Sequence, residues 1–190
     1  MFAARVPPAA GPAPVLPMAD ACADFLQYDL TQWPLVVATS KAEGSLSGDI
    51  SAKFDAHLHC FLTLLNHNVP FSIIFDVRIA NGFGMTYLRP TAEFLNVMKP
   101  KLEENLCCSC IITDSMLVRG LLNALFLVHR PVKPCLVAGN PAEATAFVEG
   151  RMNSAPDTPT DNYVSFSGDL TPADTDQLAE GAKMARGVGL

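Results

Sequence analysis

Apolar residues recur in two rhythms along this chain. Between 50 and 65 they come at steps of three and four (Ile50, Phe54, Leu58, Phe61, Leu62, Leu65), the spacing of a helix with one buried face. Gly48-Asp49 starts that helix and Asn66-His-Asn-Val-Pro70 stops it. A second helix has Pro90 near its start and buries Phe94, Leu95 and Met98, with Pro100 expected to end or kink it. A third is capped by Asp114 or Ser115, carries Val118, Leu121, Leu122 and Leu125, and stops at His129-Arg-Pro131. The last opens on Asn140-Pro141-x-Glu143, a capping box with a first-turn proline.

Between the helices lie short apolar runs that read as strands. They are Trp33–Ser40, extended backward by Tyr28 and Leu30, then Phe71–Val77, Cys107–Thr113 and Val132–Ala138. A return over Glu43–Leu46, turned near Gly44, is expected to pair with the first of them. Strands separated by amphipathic helices need crossover connections. The expected class is therefore α/β, a mixed and largely parallel sheet with an antiparallel start.

Composition divides the chain in three: a Pro/Ala-rich extended segment at 1–24, the patterned domain at 25–150, and an acidic, poorly cored extension at 151–190. Within the last, Tyr163, Val164 and Phe166 fall in a short alternating stretch, read as an added strand or a partner-docking peptide. The formal charge of −6 is uneven: −2 over 25–150, −3 over 151–190 and −1 over 1–24. The acidity sits mostly at the ends. Nucleic acid is excluded as a partner because no basic footprint exists. The apolar run Gly120–Val128 is broken by Asn123 and falls far short of the ~18 residues of a membrane span. That leaves peripheral membrane association open. Five prolines within the first 17 residues break up any secretory core.

Candidate chemistry is sparse. In a strand, Cys108 and Cys110 of the Cys-Cys-Ser-Cys run share one face and Cys107 takes the other, which suits buried reduced thiols and an intracellular setting, cytoplasm or organelle interior. His57 and His59 diverge by about 160° on a helix and cannot share a metal. His57 is expected as a hydrogen-bonded residue at the core's edge. His67 and His129 end helices, where the dipole favours an imidazolium. No phosphate-loop, dinucleotide or nucleophile-elbow pattern occurs, so no cofactor, metal or catalytic residue is assigned. Ligands of open α/β sheets meet the C-terminal ends of strands. Arg78, Asn81 and Thr86 follow one strand there, and Asp114, Ser115 and Arg119 follow the next. Asp114, Ser115 and Asn140 have a plainer role as helix caps.

Four stretches also carry a family resemblance: Cys110-Ile-Ile-Thr-Asp, then Val118-Arg-Gly-Leu-Leu-Asn-Ala-Leu-Phe, then Arg130-Pro-Val-Lys-Pro, then Asn140-Pro-Ala-Glu-Ala running to Phe147-Val. The chain over about 25–150 resembles the SpoIIAA-like proteins, small relatives of the STAS domain placed near the CRAL-TRIO lipid-binding proteins. The resemblance implies a STAS-like fold and a regulatory or protein-binding role. The phosphorylated Asp-Ser turn of the bacterial anti-sigma-factor antagonists is missing, since Ala80-Asn-Gly-Phe-Gly-Met-Thr86 stands in its place.

The first expectation is a non-enzymatic interaction module contacting other protein subunits through its terminal extensions. The second is a carrier of a small apolar ligand or lipid, which requires a cavity of ~300 Å³ or more between helix and sheet. The third is an enzyme using Cys108 or Cys110.

Overall fold

The computed structural model describes residues 11–17, 25–41, 50–79, 88–152 and 164–167. Six strands form one sheet in sequence order: β1 (Leu26–Asp29), β2 (Leu35–Ser40), β3 (Phe71–Asp76), β4 (Leu106–Ile112), β5 (Cys135–Ala138) and β6 (Val164–Phe166). The first pair is antiparallel and every later pair is parallel. Among the described residues five helices connect them: α1 (Ile50–Asn66), α2 (Leu88–Val97), α3 (Lys99–Asn105), α4 (Met116–Val128) and α5 (Pro141–Met152). The α/β class and the antiparallel start are as the hydrophobic pattern predicts.

The antiparallel pair is made differently from the expectation. Tyr28 and Leu30 do not extend the Trp33–Ser40 strand backward, because a turn over Thr31–Pro34 splits the run. The Asp29 carboxylate accepts the Thr31 N–H at 2.8 Å, a local bond that reverses the chain. Strand β1 then folds back on β2, with Leu26 opposite Ser40 and Asp29 opposite Val37. The expected return at Glu43–Leu46 lies outside the described residues.

Pro100 neither ends nor kinks one long helix; it sits in the first turn of a separate short one, where its missing N–H costs nothing. The break falls at Met98. The buried Asn105 side chain donates to the Leu65 carbonyl at 2.9 Å and ties the end of α3 to α1. Strand β5 begins at Cys135, later than the apolar run beginning at Val132 suggests. The last helix runs past the expected domain end at 150 to Met152, and the tail stretch adds β6 to the sheet edge.

The two faces of the sheet are covered unequally. Of the described helices one face carries α5, whose fully buried Ala144 and Val148 pack among Leu35, Ile74, Cys108, Cys110, Leu136 and Ala138. Small residues on both sides let the helix backbone come close to β3, β4 and β5. Beyond its reach Gln27, Asp29 and Thr39 face solvent. The other face carries the remaining helices, with Phe61, Leu64, Leu65 and Leu102 packed on Val36, Phe71 and Ile73. Large side chains keep α1, α2 and α4 farther from the strands. Because the strands run in sequence order, a helix on the opposite face gives the β5–α5–β6 crossover the opposite hand to the three before it.

The close approach of α5 makes Ala144 intolerant of volume. Ala144→Leu should cost about 1–3 kcal/mol by urea unfolding, whereas Ala142→Leu, on the exposed side of the same helix, should stay within about 0.5 kcal/mol. Equal effects would contradict this packing.

Candidate functional site

Two places could hold chemistry. The first is the C-terminal edge of the parallel strands, where the sequence places its loop candidates. Arg78 is bound to its own strand's end: Nε and Nη2 donate to the two Asp76 oxygens at 2.9 and 2.7 Å. This fork holds the Asp76 carboxyl below the usual carboxylate range and raises Arg78. Asp114 is exposed and adds its field to Arg78. Ser115 is the N-cap of α4, its Oγ accepting the Val118 N–H at 3.4 Å, and Asn140 accepts from Glu143 N at 3.0 Å. Both are caps, the plainer of their two readings. Asn81, Thr86 and Tyr163 lie outside the described residues.

Arg119 has a structural task. Its residue is only 9% exposed. Nη1 donates to the Ser167 carbonyl at 3.0 Å and Nη2 to the Thr113 carbonyl at 3.4 Å. Gly139 lies beneath, where a Cβ would stand 3.6 Å from Nη2. The Gly139 N–H donates to Ser167 Oγ at 2.9 Å, and Ser167 N donates to the Val137 carbonyl at 2.9 Å. The Ser167 hydroxyl and the Gly139 N–H together hold Glu143 below the usual carboxylate range. Arg119 thus pins the end of β6, where Val164 and Phe166 are half-buried and paired with β5. These two tail candidates are occupied within their own sheet. The signal in the sequence was a lone cation in an otherwise uncharged thirteen-residue helix.

The second place was not visible in any motif. Helices α1, α2 and α4 and the sheet line a partly open cavity of about 180 Å³. Its wall is mostly apolar: Phe61 and Leu58 from α1, Phe94 and Leu95 from α2, Leu122, Leu125 and Phe126 from α4, and Ile73, Phe75 and Ile111 from the sheet. Polar groups are few, namely His57, Thr91, Ser109, His129 and Lys133.

His57 behaves as expected of a hydrogen-bonded core histidine. Its Nδ1 lies 2.6 Å from the Tyr28 hydroxyl, and it sits among the rings of Phe25, Tyr28, Phe54 and Phe75. Burial pushes its pKa down to about 4. His129 departs from expectation. The end of α4 does not hold an imidazolium, because the ring is buried and desolvation, with the charge of Lys99, lowers its pKa. The cost of burying a cation outweighs the helix dipole. The Asn96 carbonyl oxygen, 2.8 Å from Nδ1, can only accept, so Nδ1 carries the proton and Nε2 a lone pair. Neither histidine's Nε2 has a hydrogen-bond partner among the described residues.

The cysteines are free thiols wherever they are described, and burial pushes Cys110 up to about 12 and Cys135 up to about 11. A thiol so hard to ionise is a poor nucleophile at neutral pH. Among the described residues no three His, Cys, Asp or Glu side chains gather as a metal site, and no helix is long and apolar enough to cross a membrane. Comparison with protein-family models, with characterised proteins and with solved structures finds no match for this chain.

Two consequences can be measured. The unfolded chain binds a proton at His57 near 6.5 and the folded one only near 4, so stability is full above the higher value and falls as pH drops between them. The loss should approach about 3 kcal/mol by pH 4, read as urea midpoints at pH 7.5, 5.5 and 4. In His57→Gln this part of the pH dependence should vanish; an unchanged slope would place the titration elsewhere. Arg119→Met should release β6, seen as rapid amide exchange at Ser165–Ser167, with a loss of about 1–3 kcal/mol. Full protection there would refute the latch.

Proposed function

We propose that this chain binds a small apolar molecule in the cavity beneath α1, α2 and α4. The cavity itself is the observation that carries the reading. Protein interiors pack as densely as organic crystals and rarely leave voids larger than a water. Water in a partly open space of 180 Å³ finds few hydrogen-bond partners on so apolar a wall, so an apolar guest that displaces it gains. An engineered cavity of ~150 Å³ lined by similar residues stays dry and takes benzene, which sets the scale of guest.

The volume chooses between the two forms of the carrier reading. It lies between helix and sheet as that reading requires, yet falls short of the ~300 Å³ expected of a lipid or drug-sized site. That volume suits a single ring or a short branched body better than a long acyl chain. The alternative, a STAS-like interaction module reaching other subunits through its ends, draws less support. The described parts of both ends lie on their own domain. Pro12 and Pro17 carbonyls accept from His67 Nε2 at 2.9 Å and Cys60 Sγ at 3.2 Å, Leu16 packs on the α1 core, and Val164–Phe166 completes the sheet.

Thermal unfolding of the full chain with toluene tests the proposal. At a hundred times its dissociation constant, toluene should stabilise the fold by about 2.7 kcal/mol, or about 5–10 °C in Tm. Ile111→Phe, which fills the space, should unfold no earlier than the parent and lose the toluene response. No response in the parent chain would sink the reading.

A further inference from the structure

Among the described residues the cavity's wall contains a single charged side chain, Lys133, and it is half-buried. Lys133 forms no ion pair with any described residue, whereas Arg78 pairs with Asp76, Arg89 with Glu93 and Lys99 with Glu103. A lysine whose stem lies along an apolar wall keeps its ammonium at the mouth, where water or a ligand head group can meet it. Lys133 lies four residues beyond His129, which also lines the cavity.

The surroundings extend this local charge. Lys99 lies close enough to His129 to lower its pKa through its charge. Its own partner, Glu103, is 4.0 Å away and both side chains are more than half exposed, so that pair neutralises it weakly. In a chain of net charge −6, the cavity thus has a lysine on its wall and a second lysine whose field reaches His129. The partial negative charge at the carbonyl end of α4 opposes an anion there, and the full charge of Lys133 stands against it. The histidines contribute none, being held neutral by burial.

Resting on the reading of the cavity as a ligand site, we infer that its ligand is a small monocarboxylic acid. Its apolar body, a ring or short branched chain of about ten non-hydrogen atoms or fewer, fills the space among Phe61, Phe94 and Leu122, and its carboxylate meets Lys133 at the mouth. An uncharged guest would leave the ammonium as it is. A cationic one would meet a like charge on the wall. A dicarboxylate would have to bury its second charge among rings, at a cost of several kcal/mol.

Isothermal titration of the full-length protein with three probes tests this: benzene, phenylacetate, and phenylacetamide, the uncharged analogue of the same size. Benzene reports whether the cavity accepts a guest at all. Phenylacetate should bind at least tenfold more tightly than phenylacetamide, and the preference should shrink as salt is raised. In Lys133→Met the preference should disappear while benzene affinity stays within twofold, which also shows that the variant is folded; Lys133→Gln serves if the methionine form does not fold. Benzene binding with no preference for the acid, or a preference that survives both substitutions, overturns the carboxylate assignment and leaves the cavity reading standing. Failure of all three probes to bind overturns both.

Discussion

Phe61 meets three rings at once: Phe71 and Phe75 on β3, with centroids 6.4 and 6.0 Å away, and Phe94 on α2 at 6.0 Å. Edge-on and tilted rings of this size act as spacers, and they set how far the helices stand from the strands. On the opposite face Ala144 and the small thiols impose no such distance, so α5 settles close. The same sheet therefore has one tight face and one loose face. The cavity, the burial of His57 and the neutrality of His129 all follow from the spacing on the loose side.

That spacing also explains what kind of chemistry the molecule can support. The strand ends where α/β sheets usually meet their ligands are spent on capping and latching: Ser115 and Asn140 cap helices, Arg78 is forked by Asp76, and Arg119 holds Ser167. Buried thiols with raised pKa values cannot readily form thiolates. What remains reachable is a space among rings, with two imidazole lone positions and one lysine on its wall.

Much of this architecture was legible beforehand, because helix α1 and strands β3 and β4 have unambiguous periods and the capping box of α5 is explicit in Asn140-Pro-x-Glu143. Alternating burial along β4 fulfils the reading that Cys108 and Cys110 share a face. The β1–β2 split was hidden because Tyr28 and Leu30 continue an alternating pattern through a turn that a side-chain bond to Thr31 creates. His129 was misjudged because sequence shows a helix end but not its burial. The cavity could not be read at all. A void depends on how unlike side chains fail to fill the gap between distant elements, and no local pattern records that. Nor did the described loop candidates gather into one site: Arg78 is forked by Asp76, Ser115 caps α4 and Arg119 holds the tail.

The latch on the tail strand bears on solubility. Strand β5, Cys-Leu-Val-Ala, is buried along its whole length and lacks any charged residue. Left as the sheet's last strand, it would offer a row of open backbone groups flanked by apolar side chains, a template for edge-to-edge aggregation. The three residues of β6 cover that edge, and their own outer edge is too short to template much. A single buried guanidinium, by holding Ser167, thereby keeps that edge covered.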